Sequence, residues 1–252
     1  METKHIITVE KMTARYGDQL VLDELSFSVR RGEIFVILGG SGCGKSTLLK
    51  HMIGLYKPAA GDIRIGNVSM VHSEGTERDA LIRRFGVMYQ SGALFGSMTL
   101  LENVCLPLEE FTDLGKEARE LIACMKLSLV GLAGFAHHMP SEISGGMKKR
   151  AAIARAMALD PEILFLDEPS AGLDPVTADE LDDLILQLSR SLNITFVVVT
   201  HELPSIYKIA DRVIMLDART KKIAAEGKPE ELRKNHKDEW VRNFFNRKGG
   251  AA

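Results

Sequence analysis

Only three cysteines, one tryptophan and a near balance of charge narrow the field before any motif is read. In 252 residues, Cys43, Cys105 and Cys124 lack the paired spacing of a metal site, and their odd number suits free thiols in a reducing cytosol. Lysine and arginine total 32 against 34 aspartates and glutamates, a formal net charge of −2, so no global basic field draws the chain to nucleic acid. No apolar stretch approaches the roughly 20 residues needed to span a bilayer. The first residues, Met1-Glu2-Thr3-Lys4-His5, carry no apolar signal-peptide region. Any membrane role is therefore expected to come through a partner. Internal repeats and low-complexity segments are missing as well. What is plentiful is apolar side chain: at 45% hydrophobic content the chain can bury a large core as one domain with a substantial insertion.

The first informative motif is Gly39-Gly40-Ser41-Gly42-Cys43-Gly44-Lys45-Ser46-Thr47, which fits the phosphate-cradling pattern G-x-x-x-x-G-K-[ST]. The apolar run Ile34 to Leu38 precedes it and a helical apolar pattern, Leu48 to Ile53, follows, which is the strand, loop and helix context the motif needs. The glycines let successive backbone N–H groups curl around an oxyanion, and the helix start adds a positive dipole end. Lys45 is expected to reach the β- and γ-phosphates of a nucleotide, and Ser46 to hold Mg²⁺. A glycine-rich segment can be no more than a tight turn; the Lys-Ser pair and the flanks argue against that here.

The second motif is Ser144-Gly145-Gly146, between Ile143 and the run Met147-Lys148-Lys149-Arg150. Alone it could be any flexible loop that starts a helix. Downstream of it, Ile163-Leu164-Phe165-Leu166 ends in Asp167-Glu168, the pattern of a buried parallel strand that delivers carboxylates at its C-terminal edge, where open α/β sheets bind ligands. Ala171-Gly172-Leu173-Asp174 follows, and a further apolar strand, Ile194 to Val199, ends in Thr200-His201. A lone histidine at a strand end is more often structural than functional; its place in this order of motifs is what singles it out.

From about Ile6 to Glu226 the chain resembles the nucleotide-binding domain of ATP-binding-cassette (ABC) ATPases. The resemblance implies an α/β fold: a P-loop NTPase (RecA-like) core with an N-terminal antiparallel β layer and an inserted α-helical subdomain. Carried over residue by residue, it makes Tyr16 the aromatic that stacks on adenine, and the loop from Gly39 to Thr47 the phosphate cradle. It makes Gln90 and Asp167 Mg²⁺-associated along with Ser46, Glu168 the catalytic carboxylate and His201 the switch histidine. Ser144, Gly145 and Gly146 become the signature that caps the nucleotide of the opposite subunit, and Asp174 belongs to the loop that crosses the dimer interface. The implied reaction is ATP hydrolysis with Mg²⁺ as cofactor, in a two-fold dimer of head-to-tail chains that sandwich ATP. Phosphoryl transfer to water needs little beyond positioning and charge stabilisation, which Lys45, Mg²⁺ and Glu168 would supply.

Within the family, Met147 replaces the usual glutamine of the signature. With Gln90-Ser91-Gly92-Ala93-Leu94-Phe95 and Met139-Pro140-Ser141-Glu142, it resembles the ATPases of Mla/Mce-type lipid transporters. That resemblance implies a multi-spanning permease, an Mce-domain lipid-binding protein and a small cytoplasmic accessory protein as partners, with no nucleic acid. It also implies a place at the cytoplasmic face of the inner membrane. The alternatives are an importer of another solute and a non-transport ABC module, such as a cell-division regulator or assembly scaffold.

The expected organisation is an ATP-binding core over residues 1–90 and 159–228, a helical subdomain over 91–158 and a C-terminal tail over 229–252. Strands are expected around Ile6 to Val9, Leu25 to Val29, Ile34 to Leu38, Gly61 to Gly66 and Phe85 to Tyr89. A helical pattern runs from Leu100 to about Ala158, with one break at Gly131 to Pro140. Trp240, Val241, Phe244 and Phe245 would form one apolar face of a tail helix, packed on its own domain or on a partner. Lys148, Lys149 and Arg150 read as a solvated charge run. Cys43, beside Lys45 and a helix start, is expected to be an accessible thiol of lowered pKa. Cys105 and Cys124 are expected to lie in apolar surroundings and to react slowly.

Overall fold

The computed structural model describes residues 5–246. Two strands, β1 (His5–Tyr16) and β2 (Gln19–Arg30), pair antiparallel through a turn at Gly17. With β4 (Ala60–Ile65) and β5 (Val68–Ser69) they form a four-stranded sheet in the order β2-β1-β4-β5. These strands are longer than the apolar runs alone predict, because a hairpin continues its ladder through polar residues once its register is set.

The second sheet holds β3 (Ile34–Gly39), β6 (Phe85–Met88), β7 (Ile163–Asp167), β8 (Thr195–Val199), β9 (Arg212–Leu216) and β10 (Ile223–Gly227). Their order is β10-β9-β3-β8-β7-β6, parallel except for β10 at the edge. Both faces are buried, and alternate residues divide between two cores. Phe35, Ile37, Phe165, Val197 and Val199 face the antiparallel sheet and helix α1 (Lys45–Met52). Val36, Leu38, Leu164, Leu166 and Val198 face the helical side. This two-sided burial explains the near-continuous apolar runs of β3, β7 and β8.

Short helix α2 (Gly75–Ile82) precedes β6. Between β6 and β7 stand α3 (Leu100–Phe111), α4 (Lys116–Leu129) and α5 (Gly145–Ala156). The expected helical stretch is thus interrupted twice, at residues 112–115 as well as 130–144. Thr112 has extended φ/ψ and α4 opens at Gly115, so the first break is a local turn that apolar periodicity could not register. Helix α3 opens on a capping box: Glu102 N–H donates to Thr99 Oγ1 while Thr99 N–H donates to Glu102 Oε2, an arrangement that stabilises a helix start by about 1 kcal/mol.

Helix α6 (Pro175–Leu192) joins β7 to β8, and α7 (Leu203–Ile209) follows β8. The chain closes with α8 (Pro229–Asn235) and α9 (Glu239–Phe245). Val241 and Phe245 of α9 are buried in the main core, and Tyr207 Oη donates to the Phe245 carbonyl at 2.7 Å, so this part of the tail packs on its own domain. Residues 247–252 of the expected tail lie outside the described residues. Among those described, no helix is long and apolar enough to cross a membrane.

Candidate active site

Parallel strands deliver their loops to one edge, and the sheet order sets β3, β8 and β7 side by side. The loop after β3 is the expected phosphate cradle, β7 ends at Asp167 with Glu168 next in the chain, and β8 leads to His201. A cavity of about 650 Å³ opens there. It is lined by residues of the 39–47 loop, Gln90, Glu168 and His201, with Val21 and Phe244 as apolar walls.

The cradle's shape depends on backbone that only glycine adopts readily. Gly44 caps α1 with φ of 98°, and Gly39 has φ of 148°. A Cβ at Gly39 would lie 2.6 Å from both Cys43 Sγ and the Leu216 carbonyl oxygen. Lys45 Nζ bridges the loop, donating to the carbonyls of Gly39 at 2.9 Å and Gly40 at 3.1 Å. Its ammonium is held by neutral carbonyl acceptors that a stronger anionic acceptor can replace.

Opposite the cradle, His201 Nδ1 and Glu168 Oε1 are 2.8 Å apart. Glu168 is buried and has φ of 46°, an uncommon left-handed conformation for a non-glycine residue, and such conformations cluster at functional sites. Its other oxygen, Oε2, and Asp167 Oδ1 are buried without hydrogen-bond partners. Burial first, and the Glu168 charge second, push the Asp167 carboxyl above its usual range. Asp167 and Gln90 border an adjoining cavity with Ala171 and Gly172. Unpartnered carboxylate oxygens, an amide oxygen and the Ser46 hydroxyl are the hard oxygen donors that suit Mg²⁺, so the residues present fit that ion.

The remaining expected residues lie elsewhere. Ser144, Gly145, Gly146 and Asp174 do not line the cavity. Ser144 caps α5, its Oγ accepting from Met147 N–H, and Asp174 caps α6, accepting from Val176 N–H and Thr177 N–H. The two helix starts pack closely: a Cβ on Gly146 would lie 2.4 Å from Thr177 Cγ2. Tyr16 is half-exposed and packs edge-on against Tyr56 at 6.0 Å, outside the cavity lining.

Three expectations fail. Cys43 is not an accessible thiolate: its side chain points inward, only 1% exposed, and burial raises its pKa despite the pull of Lys45. The loop turns this side chain into the core, so desolvation outweighs the neighbouring charge. Cys124 is exposed, not sheltered, whereas Cys105 is buried and its thiol is pushed up to about 11, chiefly by burial. Nor is the charge run solvated throughout. Lys149 is buried, with Nζ donating to the Gln90 carbonyl and, at 3.5 Å, to the Glu168 carbonyl, and burial lowers its pKa. Arg150 pairs with Glu180 at 2.9 Å.

Lys149, Val21 and Phe244 are neighbours of the site that sequence patterns missed. The helical position of Lys149, five residues past the Ser144 cap, was the available signal. Phe244 gave none, because its spacing reads equally as core.

The ABC transporter family model matches residues 22–171. The chain is 39% identical over 229 residues to the intermembrane phospholipid transport system ATP-binding protein MlaF of Haemophilus influenzae, covering 91% of this chain and 86% of that one. It is 40% identical to a Mycobacterium bovis protein named "Probable ribonucleotide transport ATP-binding protein mkl", over 83% of this chain and 58% of that one. Among solved structures, a dimeric ATP-binding cassette in a post-hydrolysis state with ADP and Pi superposes with a TM-score of 0.78 at 31% identity, covering 88% of this chain and 98% of that one.

Proposed function

This chain belongs to the ABC transporter family of ATP-hydrolysing subunits, and from that premise we propose that it powers phospholipid movement between bacterial envelope membranes. The observation that carries the proposal is the near-full-length match to a phospholipid transport system ATP-binding protein, 91% of this chain against 86% of the relative. The ribonucleotide-named relative is matched over only 58% of its own length.

In this reading residues 1–90 and 159–228 bind nucleotide, and residues 91–158 form the arm that meets the permease. The 39–47 loop receives the phosphates of ATP, Lys45 leaves its loop carbonyls for the β- and γ-phosphates, and the base settles against Tyr16. Ser46, Gln90 and Asp167 would hold Mg²⁺, which when bound neutralises charge developing on the phosphates. Glu168 Oε1 is oriented by His201, leaving Oε2 to accept a proton from the attacking water. His201, which lines the same cavity, would hydrogen-bond the γ-phosphate.

Ser144, Gly145 and Gly146 serve the nucleotide of a second copy, because they sit outside their own cavity at a helix N-terminus. Asp174, capping the neighbouring helix, follows them to the interface. Two such copies close on two ATP molecules and open after hydrolysis, a motion that the permease converts into transport. The chain is then peripheral to the cytoplasmic face of the inner membrane. An Mce-domain protein would carry the lipid, and a small cytoplasmic accessory protein would complete the complex.

The test is purification of the native complex in mild detergent, with its proteins and bound lipids identified by mass spectrometry. A multi-spanning permease, an Mce-domain protein and phospholipid are expected. A division-type membrane protein with no lipid-binding component, or a solute-binding protein in place of the Mce-domain protein, would overturn the lipid assignment.

A further inference from the structure

Lys149 lies on the signature helix, yet its ammonium ends beneath the hydrolytic residues of its own subunit. It is only 7% exposed, and a buried ammonium is tolerated only where acceptors meet its protons. Those acceptors are backbone carbonyls of Gln90 and Glu168. Neither belongs to α5, and the two lie on different elements: Gln90 just beyond β6, Glu168 just beyond β7.

The same helix grips the Gln90 loop a second time. Arg155 Nη1 donates to the Ala93 carbonyl at 2.8 Å and Nη2 to the Gly92 carbonyl at 3.0 Å. A third attachment is steric: a Cβ at Gly86 in β6 would lie 1.9 Å from the Ala156 carbonyl oxygen, so only glycine lets α5 lie this close. Arg155 and Gly86 fasten α5 to the strand and loop that carry Gln90. Lys149 extends the hydrogen bonding to Glu168, whose left-handed φ of 46° needs surrounding support.

We propose that Lys149 is a positioning residue that ties the signature helix to Gln90 and Glu168 of the same subunit, so that seating of the signature on a neighbour's nucleotide sets the geometry of the hydrolytic carboxylate. The proposal rests on the roles given above to Gln90 and Glu168. Coupling by this route is local: a displacement of α5 reaches two carbonyls through one side chain, with no intervening loop. It gives each subunit a way to register dimer closure at its own site.

The experiment compares Lys149→Met, which keeps the apolar stem but removes the donor, with Lys149→Arg, which keeps a donor, and with Glu168→Gln as a control on the site. Lys149→Met is expected to lower kcat at least about tenfold, the scale of a misplaced catalytic group. Its ATP affinity should stay within about threefold of wild type, because the phosphate cradle is untouched. Hydrogen exchange in the nucleotide-free protein should quicken by about tenfold at residues 90–93 and 168–171 and not elsewhere. Lys149→Arg should restore both readouts. If Glu168→Gln abolishes hydrolysis while Lys149→Met leaves kcat and exchange unchanged, the tie is refuted and the site assignment stands. Active Glu168→Gln protein would instead refute the site on which the tie depends. Global loss of exchange protection in Lys149→Met, unrescued by arginine, would reduce Lys149 to a packing role and also refute the proposal.

Discussion

His201 Nδ1 lies 2.8 Å from Glu168 Oε1, although 33 residues separate them in the chain. Adjacent strands β7 and β8 pair Asp167 with Val199, so the residues just past each strand end emerge side by side. The contact leaves Glu168 Oε2 as the oxygen without a protein partner. Glu168→Gln is expected to keep ATP binding and slow hydrolysis on the order of a hundredfold or more, the scale of a lost general base. Because the pair acts as a unit, adding His201→Ala should cost much less than its effect alone. Steady-state ATPase assays of both single variants and the double variant check this, and fully additive losses would show that the two act separately.

Ser144 tests the shared site. Ser144→Arg should abolish hydrolysis with ATP binding largely intact, since Ser144 lies outside the cavity of its own subunit. A mixed dimer of Ser144→Arg and Lys45→Ala chains should retain one composite site with both halves unaltered. Nucleotide occlusion at one site per mixed dimer is the expected outcome, and equal loss at both sites would exclude the two-fold arrangement.

The cysteines give a chemical test of the loop. Cys124 is exposed while Cys43 and Cys105 are buried with raised pKa values, so maleimide should modify Cys124 first. Cys43 should stay unmodified with or without Mg-ATP in the native protein. Peptide mapping by mass spectrometry reads this directly; rapid, ATP-sensitive labelling of Cys43 would contradict the inward orientation of its thiol.

Phe244 forms an apolar wall of the nucleotide cavity. Phe244→Ala should weaken ATP binding by about 1 kcal/mol, the worth of an aromatic contact, or roughly fivefold in Kd. Fluorescent-nucleotide titration checks it, with a melting curve to show that α9 stays docked. An unchanged Kd would make Phe244 a bystander.

Asp182, on α6, is 3% exposed, and burial pushes its carboxyl up to about 6 against a partial offset from Ser205. The folded state therefore holds this proton more tightly than the unfolded chain, whose pKa is near 3.8. Its stabilising effect is complete below the unfolded value and is lost as pH rises through about 6, by about 3 kcal/mol at 1.36 kcal/mol per pKa unit. Asp182→Asn should accordingly raise Tm at about pH 7.5, keep about half of that advantage near pH 5 and lose most of it near pH 4. Thermal melts across this range provide the measurement, and a pH-independent difference would rule out the titration.

Family and reaction were legible in the chain alone, because both rest on short contiguous patterns. Gly39 to Thr47, between an apolar strand and a helix start, reads as a cradle, and Ile163 to Asp167 reads as a buried strand with carboxylates at its end. Apolar runs also located the core strands, since burial on both faces leaves no polar positions. Tertiary structure alone decided which way single side chains point. Cys43 is chemically suited to be a thiolate, but its loop turns it into the core, where desolvation dominates. Lys149 sits in a run that composition marks as solvated, yet two carbonyls from distant segments make its burial tolerable. Both outcomes depend on groups brought close only by folding, over distances that no local pattern encodes.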